Sequence, residues 1–357
     1  MEVDIYKKLA QKFDEMPNGF PATPHGVEIE ILKKIYTPAE AEMALNIHPL
    51  PETAEDIARR LGKAADEMRS ILDTMAGKGQ IASFKFSGQQ MYMFMPYLLG
   101  IYEFQLDRMD KEFTDLFEDY DSTLMKTVGG FAPSLMRVIP INAKITPQLQ
   151  IQRYEDLHQM IDHAKSFKVQ ECICRKEKAL QGHPCKHTRE GCLTFSREEG
   201  AYDYFNLTGR VISKEEAFKV LLDAENEGLV HSTMNVQKNS VFICNCCTCC
   251  CAILRAMKEV KAPYALAKSN FQARIDQESC NDCGICKAGR CPMDAIEEKG
   301  GVYRVLEERC IGCGVCTVVC PMGSITLQAR PEMDTEVPPM SVIEWSLKRA
   351  ANRSATK

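Results

Sequence analysis

The sequence predicts a multidomain α+β protein, and three observations carry that expectation. Helical periodicity closes on a short hairpin within the first hundred residues, the middle is dense in cysteine, and one cysteine pattern occurs twice near the carboxyl end. A chain of 357 residues is long enough for two or three domains, each with its own core. The expected division is a helical module over 1–130, a Cys-rich α/β metal-binding domain over 131–270, a domain built on the doubled pattern over 271–330, and a Pro-rich linker with a short helix over 331–357.

Composition narrows the setting. Hydrophobic residues make up 45% and charged residues 26%, which is ordinary for a globular protein, but 18 cysteines are not. Met1 is followed by Glu2 and Asp4 rather than by a basic and then apolar leader, so a reducing, cytoplasmic setting is expected and the cysteines read as ligands rather than disulfides. The longest apolar stretch, Met91 to Ile101, is broken by Pro96 and Gly100 and falls short of the roughly 20 residues a membrane span needs. A net charge of -5 gives no general attraction to nucleic acid or an anionic surface.

In chain order, Ile5, Tyr6, Leu9 and Phe13 share one helical face, and Pro17, Gly19, Pro21 and Pro24 end that helix. Thr37 to Glu40 forms a capping box with Pro38 at the first helical position; Thr53 opens a second helix that stops at Gly62. A third helix carries Met68, Ile71, Leu72 and Met75, followed by strands Ile81 to Phe86 and Met91 to Met95 around a Ser87-Gly88 turn. This is the order of a winged helix-turn-helix. Its candidate recognition helix bears Asp66, Glu67 and Asp73 against Arg69, and an acidic face repels phosphate, so protein contacts or homodimer formation are expected rather than DNA binding. A long helix from about Tyr97 to Tyr120 would place Tyr102, Leu106, Met109, Phe113 and Leu116 on one stripe, and Gly129, Gly130, Pro133, Pro140 and Pro147 read as a linker.

The middle brings Cys172, Cys174, Cys185 and Cys192, with His183 and His187 between them. A helix capped by Ser213 ends at Gly228, and an apolar strand then leads into Cys244, Cys246, Cys247, Cys249, Cys250 and Cys251. So many reduced thiols would be an oxidation hazard unless several hold metal, either iron-sulfur or zinc. In extended chain Cys244 and Cys246 point to one side while neighbours Cys246 and Cys247 point apart, so the run cannot serve one site with all six thiolates. Cys172, Cys174, Cys185 and Cys192 are the first candidates, with the run lining them, replacing some of them or holding a further centre. His183, His187 and His231 read as ordinary surface or hydrogen-bonding histidines.

The doubled pattern reads Cys280, Cys283, Cys286, Cys291-Pro292 and Cys310, Cys313, Cys316, Cys320-Pro321, with matching words beyond the ligands that indicate an internal duplication. Cysteines at every third position wrap a tight loop around a small corner-shaped site, and Gly284, Gly312 and Gly314 allow the turns. Zinc sites more commonly use two Cys pairs. These residues resemble the bacterial-type 2x(4Fe-4S) ferredoxin signature, with one residue more than usual before Cys291, where Gly289 can absorb the insertion.

That resemblance implies a ferredoxin-like dicluster domain in which the last Cys of each run serves the other cluster. One cluster would then take Cys280, Cys283, Cys286 and Cys320, and the other Cys310, Cys313, Cys316 and Cys291. The whole chain is similar to 4Fe-4S dicluster proteins of anaerobic bacteria, with Gly19 to Thr23 and Cys244 to Cys247 as shared words, which implies electron transfer with a redox partner protein. Neither a Gly-x-Gly-x-x-Gly nor a Gly-x-x-x-x-Gly-Lys stretch is present to bind an electron source. Two other readings remain from the sequence: a redox-sensing winged-helix regulator, and a reductase acting at the middle centre.

Overall fold

A computed structural model describes residues 4–141, 151–202, 208–331 and 334–356. Five helices come first: α1 (Ile5–Glu15), α2 (Val27–Ile35), α3 (Pro38–Leu45), α4 (Ala54–Leu61) and α5 (Ala65–Gly77). The capping box of α3 is present, Thr53 caps α4, and α4 stops at Gly62 in the left-handed conformation, φ 65°. Strands β1 (Ala82–Phe86) and β2 (Gln89–Met93) pair antiparallel around Ser87 and Gly88, both at positive φ, as a tight hairpin turn demands. Between α1 and the hairpin, helix α2 is one helix more than the three expected.

The expected long helix over residues 97–120 is not formed. Leu99 has φ 60° and Met109 is extended, so the chain makes irregular turns before Asp110 caps α6 (Lys111–Val128). Most of the apolar stripe is buried, namely Tyr102, Leu106, Met109, Phe113 and Tyr120, with Tyr102 and Phe113 stacked at 6.4 Å, but two elements contribute it. Phe20 packs against Tyr97 and Tyr120 at 4.7 and 5.1 Å, so Gly19 and Phe20 of the word Gly19 to Thr23 belong to the core, while Ala22 is exposed.

The expected linker after Gly130 is also corrected. Its residues Met136–Val138 form β3, fully buried inside a seven-stranded sheet, while Pro147 lies outside the described residues. The sheet is built with β4 (Ser166–Glu171), β5 (Glu190–Ser196), β6 (Arg210–Ile212), β7 (Val230–Met234), β8 (Phe242–Cys246) and β9 (Leu266–Ala267), in the order β6-β4-β5-β8-β7-β3-β9. All pairs are antiparallel except β3 with β9. Helices α7 (Leu157–Asp162), α8 (Ile173–Leu180), α9 (Lys214–Glu227) and α10 (Ala252–Arg255) complete the middle, with α9 capped by Ser213 and stopped at Gly228 as its sequence indicated. The buried apolar residues of the N-terminal helices, of β3 and of the loop after β8 form one continuous core.

At the carboxyl end β10 (Phe271–Ile275) pairs with β13 (Ile325–Ala329), and β11 (Ile296–Lys299) pairs with β12 (Val302–Val305). The short helix α11 (Val315–Val318) lies between the last two strands, and α12 (Val342–Thr356) closes the described chain. Helix α12 docks on the N-terminal side of the molecule and not on the ferredoxin-like segment. Trp345 is buried and its indole N-H donates to Ser134 O at 3.0 Å, while Arg349 donates to the carbonyls of Phe131 and Pro133. The helix continues past Ala350 to Thr356, and Arg353 pairs with Asp14.

Candidate metal centres

The duplication is visible in space. Each half of the C-terminal segment is strand, cysteine loop, strand, and the pairing of β10 with β13 and of β11 with β12 brings both loops to the same small body. Gly284, Gly312 and Gly314 have φ of 72°, 72° and 79°. At Gly312 an added Cβ would lie 2.0 Å from Phe271 O, so only glycine fits there. Gly289 takes the inserted residue with φ 67° and open space around it.

The fourth cysteine of the first run lies with the second run. Cys291, Cys310, Cys313 and Cys316 line one small cavity, walled by Ala273, Ile296, Ile311 and Val305. Backbone N-H groups point at these sulfurs: Ala295 donates to Cys291 Sγ at 3.2 Å and Ala273 to Cys310 Sγ at 3.5 Å. Burial pushes the Cys313 thiol up to about 12 and raises Cys316 and Cys291 too. Thiols so dehydrated ionise readily only when a cation compensates them, so this donor set fits iron. The two loops differ in exposure. Cys310, Cys313 and Cys316 are buried, whereas Cys283 is exposed and Cys280 and Cys286 are half-buried. Among the apolar residues of the two halves, Ile296, Ile311, Val315 and Ile325 are buried and Val318 is half-buried, while Ile285 is exposed.

The middle thiols separate into two sets. On β8, Cys244 lies opposite Cys192 of β5 and Ser232 of β7, while the intervening Asn245 is the register partner of His231. Cys246 projects on the side of Cys244 and meets Cys251, which in turn meets Cys174, and Cys174 meets Cys172. These mutual contacts, with burial opposing, drive Cys174 and Cys246 well down while Cys172, Cys244 and Cys251 are held well up. The other set is Cys185, Cys247, Cys249 and Cys250. Its Sγ atoms all lie within 4.8 Å of one another, with Cys185 at 3.6 Å from Cys247 and 3.4 Å from Cys249, and Cys249 at 3.7 Å from Cys250. A hydrogen bond from Cys250 brings Cys247 down to about 5 against burial, with Arg175 adding to the effect, and burial raises Cys249 to about 12.

The four thiols expected to act together, Cys172, Cys174, Cys185 and Cys192, therefore fall in different places. Cys185 joins the loop after β8, while Cys172, Cys174 and Cys192 lie with the opposite set. The reason is the alternation along β8 and its following turn, which turns Cys246 and Cys247 to different neighbours. The tight group contains no histidine. His231 is buried and bonds to Asn245 Oδ1 at 2.6 Å, and His187 faces Glu227 at 3.3 Å. Sequence reasoning missed Arg175. Its guanidinium donates to Thr188 O and Asn245 O, both at 2.7 Å, and lies within the field of Cys172, Cys246 and Cys247. A basic residue directly after Cys172-Ile-Cys174 was the available signal.

Thiolates around one tetrahedral ion at about 2.3 Å stand about 3.8 Å apart. The tight group comes close to that spacing and fits a single thiophilic ion such as zinc or iron.

Comparison with known proteins defines the C-terminal segment. A family described as the 4Fe-4S dicluster domain matches residues 273–327, and that stretch is such a domain. The chain is similar to an uncharacterized ferredoxin of Methanocaldococcus jannaschii, 32% identical over 88 residues, which cover 24% of this chain and 54% of that protein. It is also similar to the electron transport protein HydN of Escherichia coli, 32% identical over 96 residues, covering 24% of this chain and 55% of HydN. Hydrogenase-4 component A of Escherichia coli is 27% identical over 117 residues, 32% of this chain and 56% of that protein. The chain thus spans about half the length of the curated relatives it matches. No solved structure matches significantly. No helix among the described residues is long and apolar enough to cross a membrane.

Proposed function

We propose that the protein is an iron-sulfur electron-transfer protein that passes single electrons to or from a partner redox enzyme in the cytoplasm. The observation that carries this reading is the duplicated cysteine fold at 273–327, whose family is that of the 4Fe-4S dicluster domains. Cys280, Cys283, Cys286 and Cys320 would hold one cluster, and Cys310, Cys313, Cys316 and Cys291 the other. Such clusters accept and release one electron without making or breaking bonds to a substrate. Cys185, Cys247, Cys249 and Cys250 would hold one further metal ion.

The chain's own residues give the route a direction. Exposed Cys283 offers the contact for a soluble donor or acceptor. The buried second loop adjoins the middle sheet, where Ile141 N-H donates to Cys313 O at 3.1 Å. Arg290 of the first cysteine loop reaches the second loop and α9, donating to Val315 O, Asn226 O and Glu225 O. The N-terminal helices with the β1-β2 hairpin would serve as a winged-helix-like module for protein contacts or for pairing with a second copy.

Anaerobic purification, iron and sulfide analysis, and electron paramagnetic resonance after dithionite reduction test this. The expected result is iron with acid-labile sulfide and the signals of two reduced 4Fe-4S clusters. Protein containing zinc in their place, or lacking labile sulfide, would falsify it.

A further inference from the structure

Six thiols of the middle segment are not used by the tight group at Cys185, and four of these make a ring. Cys172 caps α8 and Cys174 lies in its first turn; Cys246 ends β8 and Cys251 caps α10. Round this ring Cys172 interacts with Cys174, Cys174 with Cys251, and Cys251 with Cys246, which also lies within the field of Cys172; Cys246 and Cys251 are buried in one core against which Cys174 packs. Cys244 stands outside, touching Cys246 and Cys192.

We propose that Cys172, Cys174, Cys246 and Cys251 hold a third iron-sulfur cluster, separate from the single ion at Cys185, Cys247, Cys249 and Cys250. The inference rests on reading the chain as an iron-sulfur electron-transfer protein and extends it by one centre.

Spacing is the first argument. A single tetrahedral ion needs every pair of thiolates about 3.8 Å apart. Among the described residues only the Cys185 group has its sulfurs all within 4.8 Å of one another. The ring is more open than that, and so are the eight cysteines of the dicluster domain. A wider thiolate frame suits a polynuclear cluster.

The surroundings are the second argument. The backbone N-H of Ala252 donates to Cys174, and Ser232 Oγ is 3.5 Å from Cys246 Sγ. The buried guanidinium of Arg175 supplies a positive charge beside the thiolates. Hydrogen bonds to sulfur and a compensating cation are what stabilise a negatively charged cluster away from water. The same pattern of backbone donors occurs at Cys291 and Cys310.

Position is the third. Cys246 and Cys251 belong to the same continuous apolar core as Cys313, with Cys174 packed against it. A cluster in the ring would thus share a water-poor matrix with the buried cluster of the dicluster domain and give its electrons an onward station.

The test uses the full chain purified without air. The unaltered protein should carry about 12 iron and about 12 labile sulfide in three clusters, plus one additional metal ion. Cys174→Ser with Cys251→Ser should lose about a third of the sulfide and keep the resonance signals of the other two clusters. Cys192→Ser with Cys244→Ser should keep all of it, and Cys247→Ser with Cys250→Ser should lose one metal ion and no sulfide. About 8 sulfide in the unaltered protein, with both dicluster signals present, overturns the third cluster alone and requires no variant to fold. Retention of about 12 sulfide by the Cys174 and Cys251 double variant, or loss of a cluster from the Cys192 and Cys244 variant, overturns the ligand assignment. Absence of all labile sulfide would instead remove the electron-transfer reading itself.

Discussion

Arg175 donates a hydrogen bond to the main-chain carbonyl of Asn245 at 2.7 Å, and this contact, with the equal one to Thr188 O, fixes a buried positive charge between the two sets of middle thiols. The guanidinium is in the field of Cys172 and Cys246 on one side and hydrogen-bonded to Cys247 on the other. Reduction adds negative charge to a centre, so a neighbouring cation favours the reduced state. If the proposed cluster at Cys172, Cys174, Cys246 and Cys251 is present, Arg175→Gln should lower its potential by on the order of 100 mV, the equivalent of about 2–3 kcal/mol for one charge at close range in a partly polar interior. Redox titration followed by paramagnetic resonance would measure it, and unchanged potentials would refute the assignment of this role to Arg175.

The crossed connectivity of the dicluster domain is open to direct measurement. Cys291→Ser should alter the cluster of Cys310, Cys313 and Cys316, with which it shares a cavity, and leave the signal of the exposed loop intact. Cys320→Ser should do the converse. If each substitution disturbs only its own run, the pairing is wrong.

Asp121 should make stability depend on pH. It is buried, its Oδ1 has no hydrogen-bond partner, and Arg255 is 3.8 Å away. Burial pushes its carboxyl up to about 7, against the pull of Arg255 and Lys178 and with Glu118 and Cys174 adding to the rise. The folded protein therefore keeps a proton that the unfolded chain gives up near about 4. This contribution is complete below that value and is lost as pH rises through about 7. The apparent melting temperature should fall between about pH 5 and 8. Asp121→Asn should flatten part of that fall, leaving the part due to Glu177, whose carboxyl burial raises to about 8. An Asn variant with the original slope would contradict the account.

Duplex DNA should not bind. The exposed face of α5 carries Asp66, Glu67 and Asp73, and its Arg69 is paired with Glu55. A gel-shift assay at low salt is expected to show no retardation in either redox state. Salt-dependent retardation would revive the regulator reading.

Trp345 anchors α12. It is buried, bonded to Ser134 O and lies under the Arg349 guanidinium at 5.1 Å. Trp345→Ala should cost about 3–5 kcal/mol and lower the melting temperature. A melting temperature equal to that of the unaltered protein would show that the contact contributes little.

The parts of this molecule written in local chemistry were legible in the sequence. Thr37 and Glu40, Thr53 and Gly62, and Ser213 and Gly228 mark helix ends through groups within a few residues of each other, and each end is where those groups put it. The doubled cysteine runs were legible because a cluster loop is itself local. What escaped depends on distant partners. Met136 to Val138 looks like linker because its pairing strands, β7 and β9, lie about a hundred residues onward. The helix over 97–120 failed because periodicity records which side chains are buried and not whether the backbone between them is continuous. The division of ten thiols into two sets was half legible: alternation along β8 separates Cys246 from Cys247, but only the fold brings Cys185 to one side and Cys172 and Cys174 to the other.

The return of α12 to the amino-terminal helices has a mechanical consequence. Ahead of the dicluster segment β9 pairs with β3 in the middle sheet, and beyond it Arg353 of α12 pairs with Asp14. The dicluster body is thus moored by both of its ends, like a bridge span between two piers. Under the proposed electron-transfer reading, a partner would meet this tethered body where one of its thiols is exposed, at Cys283.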